Sequence, residues 1–147
     1  MKISTKGRYG LRALVDLATH AQDSTLSLVN VANRQKISLN YLEQVFATLR
    51  KAGIVKSVKG SQGGYMLARN PKDITVGEIL TALEGKFSII DDTGNEAEQD
   101  KIQKAIYELV WGKINRSING FLEEVTLADL VERYQSLHSG EELMYYI

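Results

Sequence analysis

Residues 38–67, SLNYLEQVFATLRKAGIVKSVKGSQGGYML, decide the fold, because they predict a helix followed directly by a hairpin. Ser38 is a good helix N-cap, and Gly53 is typical of the residue that ends a helix. An apolar stripe at helical spacing indicates a face packed on a core, and its members are Leu42, Val45, Phe46 and Leu49. The opposite face carries the polar side chains Asn40, Glu43 and Gln44. This pattern predicts a helix from Leu39 to about Ala52 with one buried and one polar face.

A glycine-rich connector follows this helix. Two β-prone runs, 54–58 and 65–67, enclose the segment 59–64, KGSQGG, and this arrangement predicts a β-hairpin. Such a hairpin alone is usually only a turn. It also lacks the G-x-x-x-x-G-K-[ST] pattern and the following helix of a phosphate-binding loop.

The flanking segments are predicted to be helical. Apolar spacing predicts helices over 5–21 and 27–34, and the T-x-x-E capping box at Thr75 predicts another short one. A long helical pattern begins near Glu98, and a last helix follows Thr126. The predicted fold class is therefore mainly α with a small β-hairpin wing, a winged helix-turn-helix plus a long dimerisation helix.

The long helical pattern carries an apolar stripe that a small N-terminal domain cannot cover. We expect this stripe to pack against the same stripe of a second subunit. Its members are Ile102, Ile106, Leu109, Ile114, Ile118 and Leu122. The predicted organisation is a winged helix-turn-helix domain over 1–84, an acidic loop over 85–98, and dimerisation helices with a C-terminal tail over 99–147.

Charge is unevenly distributed, although the net charge is zero. Residues 1–86 hold 13 Lys and Arg against 6 Asp and Glu, whereas residues 87–147 hold 5 against 12. A basic half suggests a nucleic-acid or membrane partner. The alternative is a chance segregation of solvated charge. No apolar run is long enough to span a membrane and no apolar leader is visible, so we expect a cytoplasmic protein.

Composition and spacing also argue against a metal-binding protein and against an enzyme. The chain has no Cys, which rules out disulfides, thiol catalysis and Cys-ligated zinc or iron–sulfur clusters. Its two His, His20 and His138, fall in no metal or nucleophile motif, and the acidic residues after 90 lack EF-hand spacing. With no nucleophile and base set in view, we expect neither an enzyme nor a bound metal.

A polar helix face beside a thin basic hairpin suits DNA binding, because the major groove admits one helix and base edges are contacted by hydrogen bonds. We expect Asn40, Glu43 and Gln44 to contact bases. The wing contacts are predicted to come from Lys59, Ser61 and Gln62. Phosphate contacts are predicted from Lys6, Arg8, Lys51 and Lys56.

The chain also resembles the Rrf2 family of bacterial winged-helix regulators. The resemblance is dense over residues 1–84 and looser over 99–135. It is carried by the segments 1–10 (MKISTKGRYG), 41–44 (YLEQ), 49–55 (LRKAGIV), 59–65 (KGSQGGY) and 127–130 (LADL). It implies a homodimeric transcription regulator whose long helices cross between subunits, with a recognition helix from Ser38 to Ala52. Lys59 stands where the family often places a wing-tip Arg, so the charge is kept but bidentate contact is lost.

One departure from the family pattern is informative. Members that bind an iron–sulfur cluster carry three Cys in the segment that corresponds to 87–106, and this chain has none. The resemblance is closest to the branch of cysteine-metabolism repressors (CymR-like), which lacks a cluster and is controlled through a protein partner, cysteine synthase. We therefore expect a repressor without a cofactor, controlled by such a partner or by a small ligand. The alternative is a regulatory scaffold subunit that mainly binds a metabolic enzyme.

Overall fold

The computed structural model describes residues 3–21, 24–61, 63–90 and 100–145, with side chains through 141. Gln62, residues 91–98 of the predicted acidic loop and the last tail residues lie outside this part. The helices and strands, in chain order, are α1 (Thr5–His20), α2 (Leu28–Gln35), α3 (Leu39–Lys51), β1 (Val55–Val58), β2 (Gly64–Leu67), a 3₁₀ turn (Pro71–Asp73), α4 (Val76–Glu84), α5 (Lys101–Ile106), a π turn (Tyr107–Trp111), α6 (Gly112–Glu124) and α7 (Leu127–Tyr145). The predicted fold class, mainly α with a two-stranded wing, is confirmed.

Helices α1 to α4 and the wing enclose one apolar core. Every residue of the predicted α3 stripe is buried. Side-chain caps begin the helices, because the hydroxyls of Ser4, Ser27 and Ser38 accept bonds from backbone N–H groups at the starts of α1, α2 and α3. The turn into α3 passes through Lys36, whose left-handed φ of 56° ends α2.

The hairpin is antiparallel, and its second strand is attached to the connection between α1 and α2. Val55 pairs with Leu67 and Val58 with Gly64. Leu26, from the connection between α1 and α2, forms an isolated β-bridge with Tyr65. The Leu26 N–H donates to the Tyr65 carbonyl and the Tyr65 N–H to the Leu26 carbonyl, with N to O distances of 2.8 and 2.9 Å. A side chain at Gly64 would collide with the backbone of Leu26, so glycine permits this close approach.

The start of α7 belongs to the same core. The Val76 N–H donates to the Val125 carbonyl and the Leu127 N–H to the Ile74 carbonyl, both at 2.8 Å. The Leu127 side chain is fully buried in the core that α1 to α4 form. The predicted domain boundaries at residues 84 and 98 stay predictions. Leu127 lies beyond both of them and is nevertheless part of the core of the winged unit.

Helices α5 and α6 join through the π turn into one continuous helix, here called the long helix. The sequence predicts this helix but not the π turn, where the Gly112 N–H donates to the Tyr107 carbonyl. The C-terminal part of the long helix lies on α4, where a side chain at Gly77 would press on Leu122. Residues 101–111, in contrast, are all exposed.

Candidate nucleic-acid interface

The polar face of α3 is exposed as predicted from the sequence. Asn40, Glu43 and Gln44 are all exposed, and their spacing of three and four residues places them on one helix face. Lys51, seven residues after Gln44, continues the same face at the end of α3 and is also exposed. The opposite face of α3 is buried in the core. The core therefore holds α3 in place with its polar face towards solvent.

The wing presents further polar residues beside α3. Lys59 and Ser61 lie in the loop between the strands and are exposed, and Lys56 is exposed on β1. The ring of Tyr65 on β2 packs edge to face on Phe46 of α3, with ring centroids 5.1 Å apart. The wing is therefore held to α3 through a contact between core side chains.

The first turns of α1 supply the remaining predicted cations. Arg8 is exposed and Lys6 is half-buried. The carboxylate of Glu84 accepts bonds from the backbone N–H groups of Ser4 at 3.0 Å and Gly7 at 2.9 Å. Since a side chain already occupies these N–H groups, phosphate contacts here are expected from Lys6 and Arg8 rather than from the helix N-terminus.

An aromatic cluster that sequence reasoning missed joins α1 to the start of α3. The rings of Tyr9 and Tyr41 meet edge to face with centroids 6.0 Å apart, and the Tyr41 hydroxyl lies 3.2 Å from that of Thr5. The Arg12 guanidinium lies 5.1 Å from the Tyr9 ring centroid. Tyr9 and Tyr41 both lie in segments that carry the family resemblance, but helical periodicity does not pair them.

A second missed residue, Arg50, lies where α3 meets the wing. It is exposed, and its Nη1 lies 3.5 Å from the Ser57 hydroxyl of β1. The contacts of Arg50 and Tyr41 thus bracket α3, one towards the wing and one towards α1. The other two predicted groups thus lie on elements that contact α3.

A half-buried ion pair connects α1 to the end of α2. Asp16 is 3% exposed, and its carboxylate accepts bonds from Arg34 Nη2 at 2.6 Å and from Gln35 Nε2 at 2.9 Å. The hydrogen bond to Asp16 raises the pKa of Arg34, although burial acts in the opposite direction. Because Arg34 and Gln35 are the last residues of α2, this pair positions the turn that leads into α3.

The chain offers no thiolate ligand for an iron–sulfur centre. His20 and His138 lie far apart in the sequence. Among the described residues, no three His, Asp or Glu side chains come together as metal ligands. Within the same residues, no helix combines the length and hydropathy that a membrane span requires.

Known proteins resemble the chain along most of its length. The family model Rrf2, described as iron-dependent transcriptional regulator, matches residues 3–133. The HTH-type transcriptional regulator IscR of Serratia proteamaculans is 38% identical over 137 residues, which cover 93% of this chain and 83% of the relative.

Two solved structures have a similar fold. CymR, described as the global cysteine regulator of B. subtilis, aligns with a TM-score of 0.77 and 37% identity, covering 90% of this chain and 98% of that one. IscR of T. potens aligns with a TM-score of 0.71 and 45% identity, covering 91% and 88%. The similarities therefore extend through the long helix as well as the wing.

Proposed function

Because this chain belongs to the Rrf2 family of transcriptional regulators, we propose that it acts as a homodimeric repressor that recognises a specific DNA sequence through α3 and the wing. It is a helix-turn-helix transcription regulator and not an enzyme. The observation that carries the specific proposal is the exposed polar face of Asn40, Glu43 and Gln44 beside the basic wing. Amide and carboxylate side chains of this kind contact base edges in the major groove.

The proposed target is a set of cysteine or sulfur metabolism genes. The support is the fold shared with B. subtilis CymR together with the absence of Cys, which leaves no thiolate for a cluster. We propose that its DNA binding is controlled by a protein partner, with cysteine synthase as the candidate, or by a small ligand that prefers one dimer geometry.

A gel-shift assay with fragments upstream of cysteine-metabolism genes tests this proposal at two salt concentrations. Specific binding should persist at the higher salt, whereas binding to unrelated DNA should fall steeply. Cysteine synthase added to the same assay should change the affinity for the specific fragment. Equal affinity for all fragments would contradict sequence-specific repression and favour a scaffold that mainly binds an enzyme.

We expect a Gln44→Ala variant to lose about 1–3 kcal/mol of binding free energy on the specific site, because a bidentate contact to a base edge would be removed. Binding to unrelated DNA should stay unchanged. Gln135→Ala, an exposed substitution of the same type on α7, is the matched control. Equal specific affinity for wild type and Gln44→Ala in a titration would remove Gln44 from the base-contacting set.

A Lys59→Ala variant should weaken binding to all DNA sequences by a similar factor. If Lys59 contacts phosphate, the slope of log affinity against log salt should fall by about 1. Lys113→Ala, an exposed substitution on α6, should leave the slope unchanged. A slope that is the same in Lys59→Ala and wild type would contradict a phosphate contact at the wing.

Protein purified without oxygen is expected to be colourless, with no stoichiometric iron or sulfide, because the chain offers no thiolate ligand. Its DNA affinity should therefore be the same before and after exposure to oxygen, nitric oxide or a thiol oxidant. Iron and sulfide analysis with an absorption spectrum checks this expectation. Visible absorption with about one cluster's iron per protomer would overturn it.

A further inference from the structure

A cleft of about 360 Å³ lies between α1, the end of α2 and α7, and its lining includes no residue of α3. The apolar part of its lining comes from both α1 and α7, and the rest of its lining is polar. The apolar residues are Leu11, Val15 and Leu130, and the polar ones are Arg12, Asp16, His20, Gln35 and Tyr134. Apolar walls with a few convergent polar groups, at this volume, are typical of small-molecule sites.

The polar end of this cleft is also the attachment point of α2. Asp16 is the one buried charged side chain in the described part of the chain, and Arg34 and Gln35 donate to it. From the same side, Arg12 Nη2 donates to the Gln35 carbonyl at 2.6 Å. A molecule in the cleft would therefore touch the groups that hold the end of α2, next to the turn into α3.

The charges at this end favour an anion. The carboxylate of Asp16 is already occupied by Arg34 and Gln35, and His20 Nδ1 lies 3.5 Å from it, so it has little capacity for a cationic ligand. Arg12 carries a second positive charge. Its guanidinium also lies 5.1 Å from the Tyr9 ring centroid, and the Gln35 bond uses one of its five N–H donors. The polar end of the cleft thus has more hydrogen-bond donors and positive charge than acceptors and negative charge, and it lies beside an apolar wall.

We propose that this cleft binds a small carboxylate with an apolar body and that its occupation lowers DNA affinity. This inference rests on the proposed function and names its regulation. The ligand carboxylate would compete with the Gln35 carbonyl for Arg12, which loosens the end of α2 and with it the support of α3. A larger cleft of about 570 Å³ lies near Arg69. It is not linked to the end of α2 in this way, because Arg69 binds Glu78 of α4.

Binding of hexanoate, measured by calorimetry on the full chain, tests the site, with the neutral isostere hexanamide as the comparison. Hexanoate should bind about tenfold or more tightly than hexanamide, because charge-assisted hydrogen bonds are the stronger kind. Arg12→Gln should remove this preference, and Leu130→Trp should block both compounds by filling the cleft. Arg133→Gln, which removes a positive charge from α7 outside the cleft, should leave binding unchanged.

The regulatory part is tested by DNA titration with and without saturating hexanoate. Specific affinity should fall about fivefold or more in wild type, and it should not change in Leu130→Trp. If unliganded wild type binds its DNA but hexanoate does not bind, or binds without lowering that affinity, this inference fails while the proposed function stands. If wild type shows no specific DNA binding at all, the proposed function itself fails.

Discussion

An Ile106→Asp variant is expected to sediment as a monomer at micromolar concentration and to lose specific DNA binding by about 100-fold or more. Ile106 is 41% exposed in the protomer, so the isolated chain should tolerate a carboxylate there. In a dimer whose long helices pack together, the same carboxylate would be buried without a partner, at a cost of several kcal/mol. Two recognition helices about 34 Å apart would no longer act on one site.

The case for this interface is the uncovered apolar surface of the long helix. Ile102 is 71% exposed and Leu109 67%, and Phe121 on α6 is 62% exposed. Large contiguous apolar surface of this kind marks an interaction site. Ile118 and Leu122, the other end of the predicted stripe, are half-buried within the protomer. We therefore expect the N-terminal part of the long helix to contribute most to the dimer.

A matched control separates the interface from a general effect of charge. Gln103→Asp introduces the same carboxylate on the exposed surface of α5, beside the stripe. This variant should sediment as wild type does and keep its DNA affinity. Circular dichroism at equal concentration should show that both variants are folded. A dimeric Ile106→Asp protein with wild-type affinity would contradict the proposed interface.

Local signals were enough to predict the winged unit. The caps at Ser38 and Thr75 and the glycines around the wing specify where elements begin and end, because each acts through neighbouring backbone groups. The exposure of Asn40, Glu43 and Gln44 also follows from helical periodicity alone. Their contact with DNA bases stays a prediction, because exposure shows only that they are accessible.

Features that depend on distant partners could not be predicted. Asp16 looks like any polar residue on α1 until the fold brings Arg34 to its carboxylate. The same holds for Leu26, whose bridge to Tyr65 joins segments far apart in the chain. The π turn is a third case, since Tyr107–Trp111 carries ordinary helical spacing. In each, the local pattern is compatible with several arrangements, and tertiary contacts select one.

Leu127 is another such residue. Its spacing from Leu130, Val131 and Tyr134 predicts a place on the last helix, and helical periodicity alone does not say which core that helix joins. In the structure it is fully buried among residues of α1 to α4, and its N–H donates to the Ile74 carbonyl. The winged unit is thus completed by a residue from beyond the long helix.

We therefore expect Leu127→Ala to lower the free energy of unfolding by about 2–5 kcal/mol, because the lost side chain leaves a cavity in the core. Urea unfolding at fixed protein concentration measures this loss, and Val29→Ala, at a position 48% exposed, should cost far less. The decisive comparison adds Leu127→Ala to Ile106→Asp. Since Leu127 packs within its own protomer, the two costs should add to within about 0.5 kcal/mol. A cost that disappears in the monomeric background would mean that Leu127 is stabilised by the second subunit instead.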